Sequence, residues 1–570
     1  MTYKLSALTA SIGLLMLGLS SSAQSADTII TNAVIYTGQG TRAEALAIQN
    51  GLIVFIGSAQ AAEVFREDDT NIIDMQQAFV MPGFVDNHNH IFEGASEAGG
   101  NCEVAAYIPM EEQLPYLRIC QENAKGQDWL LGYGFTLETL LDPNNEHTPL
   151  EFLDSIFPVQ PVVLMEQTSH SMWVNSAALA RVGITATSPH PQGGRILRDE
   201  FTGELNGVLL DNAGDIVMEH AWNSLNNKFN QSYTGLMNGL YEVARNGITT
   251  VGDGRLYWKR GWLDVWQAAE KRGDLTARVS LRPWIYPQDA MAPQLKFLNR
   301  VHNDDDTSLL RLDQVKMYSD GIIINGTAKT LAPYDFTYMP DSDNGLFYIE
   351  PSQMKTWLTS LADIDYGAHI HAIGDGAVKA SLDAIETLGG RKSEQAYTLT
   401  HVEMVAPEDI TRFANLGVTA DFQVGSDYIA AHDHSWAVPF LGHSRSKAMM
   451  PVAKLYNTGA NVSLSSDWNV HSLNPLVGIA NSLIMGKTGL PNIDSAIAAY
   501  TINPAKSLSL DHITGEIALG KSADLVVLDE DITRLSPTAI KQTAILMTLL
   551  QGEIVFDSED AFDEEGALDN

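Results

Sequence analysis

Basic residues are scarce in this chain of 570 residues. Its 70 aspartates and glutamates outnumber its 35 lysines and arginines, which gives a formal net charge of -35. A protein this acidic repels the phosphate backbone of nucleic acid and the anionic surface of a membrane. We therefore expect no nucleic-acid partner and no membrane partner, and we expect a small-molecule substrate instead. A homodimer is left open as an assembly.

Cysteine is scarcer still, because Cys102 and Cys120 are the only two in the chain. If the chain is exported, it enters an oxidising compartment in which the two are able to pair as a disulfide. The sequence does not give the separation of the two side chains in space, so their pairing stays open at this point. Internal repeats and low-complexity segments are absent as well.

The hydrophobic run at the N terminus, residues 5–19, is too short to favour a permanent membrane span. Lys4 precedes the run and small residues follow it, which is the layout of a secretory signal peptide with cleavage after Ala23 or Ala26. No cysteine follows these positions directly, so no lipid attachment site is present there. We predict a signal peptide over residues 1–26 and a soluble protein that is periplasmic or secreted.

β-Rich runs lie at both ends of the remaining chain. Asn50-Gly51 separates two of them and predicts a hairpin. Together the two ends predict one small β-sandwich, formed by residues 27–83 and 505–556, followed by a disordered acidic tail over 557–570. The runs are 28–36, 45–48, 52–56 and 71–74, then 523–528, 545–548 and 553–556.

The middle of the chain alternates strand-like runs with amphipathic helical segments, which favours parallel βα units. Eight such runs predict a closed (β/α)₈ TIM barrel over residues 84–504. This span exceeds the ~250 residues typical of that fold, so we predict an insertion at about 93–230 with its own strands near 161–165 and 207–210. The eight runs are 80–85, 247–251, 279–282, 314–318, 368–371, 397–400, 418–422 and 462–465.

The first barrel run leads into two histidines, His88 and His90, one residue apart. Side chains at i and i+2 of a strand share a face, so both imidazoles point towards one place. A pair of histidines that only form local hydrogen bonds is the alternative, because so short a motif often occurs by chance.

Four later residues also fall at the C-terminal ends of predicted barrel strands, where the active site of such a barrel lies. Lys316 lies in the fourth strand, His371 closes the fifth, His401 follows the sixth and Asp467 follows the eighth. Each one alone has an ordinary explanation: a lone histidine is often a core or surface group, and Asp467 could cap the next helix. Their accumulation on one face of the barrel favours a metal site.

The motifs around these residues resemble those of the amidohydrolase superfamily. They are Pro-Gly-Phe-Val-Asp-x-His-x-His at 82–90, His-Ile-His-Ala-Ile-Gly-Asp at 369–375, His401 before Glu403, and Ser-Ser-Asp-Trp at 465–468. More narrowly, the chain is similar to the amidohydrolase family 3 branch that includes N-substituted formamide deformylase. Supporting motifs lie at 170–176, 193–199, 514–517 and 520–524.

The resemblance implies a ligand set for one or two zinc ions: His88, His90, His371, His401 and Asp467. Lys316 matches the fourth-strand lysine of the family, which is carbamylated and bridges the ions in two-metal relatives. His369 shares a strand face with His371 and is the rival ligand; His371 is favoured because Ala-Ile-Gly-Asp follows it directly. His170, within the insertion, matches a family histidine with an expected role over the substrate; a histidine that only packs there is the alternative.

These residue types suit hydrolysis. Zinc lowers the pKa of bound water to about 7 and polarises a carbonyl oxygen. Asp467 is expected to accept the proton of the water and pass it to the leaving nitrogen. We therefore predict an exported zinc-dependent amidohydrolase that cleaves an amide or related C–N bond. The alternatives are a lactonase or esterase on the same metal centre, and a non-catalytic metal- or solute-binding protein.

The insertion contains aromatic residues, Tyr133, Phe135 and Trp173, which suggest an apolar or aromatic substituent on the substrate.

Overall fold

A computed structural model describes residues 25–38, 40–95, 100, 102–199, 201–390 and 394–559. The predicted signal peptide lies outside these residues except for Ser25 and Ala26, and so does the predicted acidic tail beyond Glu559. Among the residues described, no helix has both the length and the apolar character needed to cross a membrane.

The first part of the chain forms short strands that belong to different sheets. β1, β4, β5 and β6 form a four-stranded sheet in the order β5-β4-β1-β6. Asn50 and Gly51 connect β4 to β5 with φ values of 51° and 76°, as a two-residue hairpin turn requires, so the hairpin prediction is confirmed. The elements are β1 (Thr28–Thr31), β2 (Val34–Tyr36), β3 (Arg42–Ala43), β4 (Ala45–Gln49), β5 (Leu52–Gly57), α1 (Ala59–Ala62), β6 (Asn71–Asp74), β7 (Phe79–Pro82) and β8 (Phe84–Asn89).

A second, six-stranded sheet follows, in the order β13-β14-β12-β11-β10-β9. A disulfide between Cys102 and Cys120 joins β9 to α3, which settles the pairing that the sequence left open. The elements are α2 (Ile91–Ala95), β9 (Cys102–Glu103), α3 (Leu114–Asn123), β10 (Leu130–Tyr133), α4 (Leu137–Leu140), α5 (Pro149–Ile156), β11 (Val162–Met165), β12 (Ser171–Val174), α6 (Ser176–Val182), β13 (Gly194–Arg198) and β14 (Leu205–Asp211).

Residues at the start of α5 fix where this helix begins, and the helix in turn positions β12, the strand that follows His170. The Thr148 hydroxyl accepts a hydrogen bond from the Glu151 N–H (3.2 Å), and the Glu151 carboxylate accepts one from the Thr148 N–H (3.0 Å), which is a capping box. The indole N–H of Trp173 in β12 donates to the carbonyl of Pro149 (2.8 Å). The helix therefore holds β12 in place, directly after His170.

The central part of the chain alternates strands and helices. The elements are α7 (Asn212–Asn223), α8 (Lys228–Arg245), β15 (Ile248–Asp253), α9 (Trp262–Arg272), β16 (Arg278–Ser280), α10 (Met291–Val301), β17 (Leu310–Arg311), β18 (Gln314–Tyr318), α11 (Pro351–Ala362), β19 (Gly367–Ala372), α12 (Asp375–Glu386), β20 (Tyr397–His401), α13 (Ile410–Leu416), β21 (Thr419–Gln423), α14 (Asp427–Ala430), α15 (Val438–Lys447), α16 (Val452–Tyr456), β22 (Val462–Ser465), α17 (Pro475–Ile484), α18 (Ile493–Ala498) and α19 (Ile502–Ser507). The alternation confirms a mixed α/β fold.

The central strands form two parallel sheets, β17-β16-β15-β8 and β18-β19-β20-β21-β22, where the sequence predicted one closed barrel. Pairs of hydrogen bonds link them. At one junction Ile285 N–H donates to the Lys316 carbonyl (3.0 Å) and Lys316 N–H donates to the Pro283 carbonyl (3.1 Å). At the other junction Asp467 N–H donates to the His88 carbonyl (2.8 Å) and His90 N–H donates to the Trp468 carbonyl (2.9 Å). A continuous ladder is absent at both junctions within the described residues. Pro283 contributes to the first break, because proline has no N–H to donate to a neighbouring strand.

The last strands return to the first part of the chain. They are β23 (Leu525–Leu528), β24 (Ile545–Leu550) and β25 (Glu553–Asp557), with α20 (Pro537–Ile540) between the first two. They join β7, β2 and β3 in a six-stranded sheet of order β25-β24-β23-β7-β2-β3. One buried hydrophobic cluster contains side chains from this sheet and from the first sheet, among them Ile30, Leu46, Val80 and Leu525.

The predicted strand 80–85 is wrong as one element, because the chain passes from one sheet to another at Gly83. The Gly83 N–H donates to the Asp524 carbonyl (2.9 Å), whereas the Phe84 N–H donates to the Gly247 carbonyl (2.9 Å). A Cβ atom on Gly83 would lie 2.3 Å from the Thr249 hydroxyl oxygen, so only glycine fits this crossing. Periodicity along the run does not reveal the change of partner.

Candidate metal centre

His88 and His90 lie at the end of β8 and are both buried. Their Nε2 atoms are 3.2 Å apart. The Asp467 Oδ1 atom lies 3.2 Å from the Nε2 atom of His88 and 3.0 Å from that of His90. The structure thus brings together His88 and Asp467, the first and last of the predicted ligands, which are 379 positions apart in the chain.

β19 carries His369 and His371 on one face, in register with Lys316 and Tyr318 of β18. The Nε2 atom of His369 lies 2.7 Å from Nδ1 of His88. His371 lies on the other side of this group: its ring centroid is 4.5 Å from that of His401, and its Nε2 atom lies 3.0 Å from the Gly321 carbonyl oxygen. Both histidines therefore reach the site, from different depths.

Two groups of side chains have ligand atoms within 4.8 Å of one another. The first group is His88, His401 and Asp467, and the second is His88, His369 and Asp421. Asp421 was missed by the sequence reasoning, although a carboxylate in an apolar strand was a signal. Its oxygens accept hydrogen bonds from the hydroxyls of Ser463, Ser465 and Thr400, so they are already engaged.

Lys316 is fully buried, and its Nζ atom lies 3.4 Å and 3.5 Å from the two ring nitrogens of His88. Among the described residues, no carboxylate forms a salt bridge with it. Asp320, four positions further along the chain, accepts backbone hydrogen bonds from Ile373, Gly374 and Lys329. Burial holds the pKa of Lys316 well below its usual value, which favours a neutral amine.

The titration states of the site suit a cation. Burial lowers the pKa of His401 to about 3 and holds the pKa values of His88 and His371 well below the usual one, so these imidazoles are neutral and keep a lone pair. Burial alone would raise the pKa of Asp467, but its contacts with His88 and His90 hold it well below its usual range. Neutral imidazoles around an ionised carboxylate are the donors that zinc prefers, so the residues fit a metal ion.

His170 lies beside this group and is oriented by a carboxylate. Its Nδ1 atom lies 2.8 Å from Oδ1 of Asp211, which is fully buried. The His170 ring stacks at 5.4 Å from the Tyr318 ring and lies 5.2 Å from the His371 ring, measured between centroids. Asp211 was also missed from the sequence, since 41 residues separate it from His170 and only the fold brings them together.

A cavity of about 420 Å³ opens over the site. His170, His371, His401 and Asp467 line it, whereas His369 does not. Much of the remaining wall is apolar: Ile322, Ile323, Ile324, Ile373, Ile429, Met449, Met450 and Val470. Glu403 lines it too, and burial followed by the nearby charge of Asp467 raises its pKa to about 7. Cavities of this size and character hold small organic ligands.

Comparisons with known proteins give a family match. The sequence profile of the amidohydrolase family matches residues 71–556. The chain is 25% identical over 560 residues to the N-substituted formamide deformylase of Arthrobacter pascens, covering 94% of this chain and 99% of that protein. It is 26% identical over 521 residues to the protein LONG AFTER FAR-RED 3 of Arabidopsis thaliana, covering 88% and 87%.

The fold is shared with an uncharacterized metal-dependent hydrolase from Pyrococcus horikoshii OT3 whose crystal structure is known. That structure superimposes with a TM-score of 0.70 at 20% sequence identity, over 90% of this chain and 99% of the other. At this level of identity the likeness concerns the fold alone.

Proposed function

Because the chain belongs to the amidohydrolase family and is a hydrolase that acts on C–N bonds, we propose that it hydrolyses a small amide with the help of a metal ion, zinc. The family match confirms the resemblance read from the motifs. The observation that carries the proposal is the group of His88, His401 and Asp467, whose ligand atoms lie within 4.8 Å of one another at the cavity.

His88, His90, His371, His401 and Asp467 would hold one or two ions, and two ions would also require Lys316. Zinc, when bound, supplies an acidified water molecule and polarises the carbonyl oxygen of the substrate. The chain supplies the rest: buried neutral imidazoles, one ionised carboxylate, and apolar walls that exclude bulk water.

Asp467 is the proposed proton carrier. Its carboxylate lines the cavity and is held between His88 and His90, so its oxygens keep a fixed position. An ionised carboxylate is able to accept a proton from the attacking water and deliver it to the leaving nitrogen. A protein that only stores metal needs no such group, which disfavours the non-catalytic alternative.

His170 is proposed to act on the substrate and not on the metal. If its Nδ1–H donates to Asp211, the ring is fixed in one tautomer with Nε2 available to the cavity. In that arrangement the imidazole positions the substrate in the cavity that His170 and Asp467 both line, with the His170 ring 5.2 Å from the His371 ring between centroids.

The substrate class is proposed from the relative that acts on N-substituted formamides. A formyl group is small, so most of the cavity would be filled by the substituent on nitrogen. The isoleucine and methionine walls suit an apolar or aromatic substituent.

We also propose the remaining architecture. The two parallel sheets together would form a (β/α)₈ barrel, and this is supported by their parallel order and by the hydrogen bonds at both junctions. The two terminal sheets would form the predicted sandwich, supported by their shared buried cluster.

Export is supported by the Cys102–Cys120 disulfide, because disulfides persist in oxidising compartments. A mature N terminus near Gln24 or Asp27, measured by mass spectrometry, would agree with export, whereas an intact Met1 would contradict it.

The experiment is a substrate panel with the zinc-loaded mature protein. N-Benzylformamide and N-benzylacetamide are compared with their ester analogues and a simple lactone, and His88→Ala is the control that should lose both metal and turnover. We expect zinc-dependent hydrolysis of an amide. Turnover of only esters or lactones would favour the alternative enzyme, and stoichiometric zinc without any turnover would favour a binding protein.

A further inference from the structure

Apart from histidines and tyrosines, the ionisable side chains that line the cavity are all carboxylic acids. Glu138, Glu403 and Asp467 contribute carboxylates, and no lysine or arginine is present among the described residues of the wall. A ligand with a free carboxylate would therefore meet no lysine or arginine among the described residues of the wall, within a protein whose net charge is -35.

Glu403 is the carboxylate best placed to contact a ligand substituent. Hydrogen bonds pin its backbone on both sides: Met404 N–H donates to the Ile373 carbonyl (2.9 Å), and Met450 N–H donates to the Glu403 carbonyl (2.9 Å). Its Oε2 atom is buried and has no hydrogen-bond partner among the described residues. A buried acceptor without a partner is costly, and a ligand N–H would supply the missing bond.

The wall near Glu403 also carries aromatic rings. Tyr428 and Trp436 line the same cavity, from the segment that follows β21. β21 pairs with β20, and Glu403 lies just after the end of β20. Aromatic faces attract cations, and they attract them more strongly where water is excluded. A carboxylate together with aromatic and aliphatic walls is suited to an apolar group that ends in a protonated amine.

We infer that this cavity selects amides whose nitrogen substituent is apolar and ends in a protonated amine bound by Glu403, and that it rejects amides bearing a free carboxylate, such as N-acylated amino acids. The inference rests on the proposed function for the identity of the bond that is cleaved. What it adds is that Glu403 binds the other end of the substrate, the protonated amine on the nitrogen substituent.

Three N-benzylformamides that share one scissile bond test it. They carry aminomethyl, hydroxymethyl or carboxylate at the para position, and so present a cation, a neutral hydroxyl and an anion to the same wall. With the zinc-loaded mature protein, we expect the highest kcat/KM for the ammonium compound and a value about 10²-fold lower for the carboxylate compound, since placing like charges together is strongly unfavourable. Equal values, or a preference for the carboxylate, would overturn the inference.

Two variants locate the effect. Glu403→Gln should reduce the preference for the ammonium over the alcohol by about 10-fold, because a hydrogen bond between charged partners is lost. Glu138→Gln is the matched control: it removes a carboxylate from the same cavity, but Glu138 is exposed and screened by solvent, so the preference should change by less than about 3-fold. A preference that survives in Glu403→Gln would exclude the role of Glu403.

Calorimetric dissociation constants for the same three compounds separate this inference from the proposed function. If none of the compounds is hydrolysed, the proposed function fails, yet the order of binding still decides the inference. Tighter binding of the ammonium compound supports it, and equal binding, or tighter binding of the carboxylate compound, overturns it.

Discussion

The Nε2 atom of His369 lies 2.7 Å from the Nδ1 atom of His88, which leaves these two imidazoles in direct contact below the cavity. His371, two residues further along the same strand, lines the cavity instead. His369 and His371 are therefore rival candidates for the metal ligand on β19. Because they lie at different depths, substituting each of them in turn distinguishes the two.

The first prediction concerns these two residues. His371→Ala should lose metal and activity together, because the ring centroid of His371 lies 4.5 Å from that of His401, a predicted ligand. His369→Ala should retain metal, since His369 lies behind His88 and does not line the cavity. Metal analysis of the purified variants checks this, with circular dichroism to show that both still fold. Retention of metal in His371→Ala and its loss in His369→Ala would reverse the assignment.

The second prediction concerns Asp467. Asp467→Asn should keep much of the metal, because His88 and the other histidines remain, yet kcat should fall by ~10² to 10⁴-fold, since an amide does not carry the proton. Parallel measurement of zinc content and kcat separates the two effects. Near-normal kcat in this variant would exclude a role as proton carrier.

The sequence predicted the positions of the strands at the site more accurately than it predicted which strands pair with one another. The runs at 314–318 and 462–465 coincide with β18 and β22, because each contains residues such as valine that favour a β-strand. The run at 80–85 failed at Gly83, where the chain changes sheets, and periodicity has no information about the neighbouring strand. The contact of Asp211 with His170 was missed for a similar reason, since it exists only in the folded chain.

The third prediction concerns His170. His170→Ala should leave the zinc content unchanged but lower kcat/KM by about 10²-fold, comparable to the loss of one hydrogen bond to the reacting group. Asp211→Asn should have a smaller effect in the same direction, because it removes the acceptor that fixes the tautomer while leaving the ring in place. A fall in zinc content in either variant would instead place His170 among the metal ligands.

The fourth prediction is a pH dependence of stability that comes from Glu166. Burial raises its pKa from 4.5 to about 7, although Thr168 donates hydrogen bonds to its carboxylate. The native state therefore keeps a proton that the unfolded chain releases, so this contribution to stability is complete below pH 4.5 and is lost as the pH rises through 7. Compared with wild type, Glu166→Gln should gain up to about 3 kcal/mol between pH 5 and pH 8.

Thermal unfolding at constant ionic strength measures this difference. Glu112→Gln removes one negative charge from an exposed position and serves as the control. An offset between Glu166→Gln and wild type that stays the same from pH 5 to pH 8 would contradict the argument.

The last prediction concerns Lys316, which should be carbamylated and bridge two zinc ions. A free ammonium beside bound cations would be repelled and has no lone pair to offer, so a lysine at this position must be neutral or converted to an anion. Burial already favours the neutral amine, which is the form that reacts with carbon dioxide, and no carboxylate salt bridge holds Nζ among the described residues. Protein prepared with bicarbonate and zinc should then contain two ions per chain. Lys316→Ala should contain one or none, with partial rescue by a small added carboxylate, and a wild-type content that stays at one ion with an unmodified Lys316 would rule out the bridge.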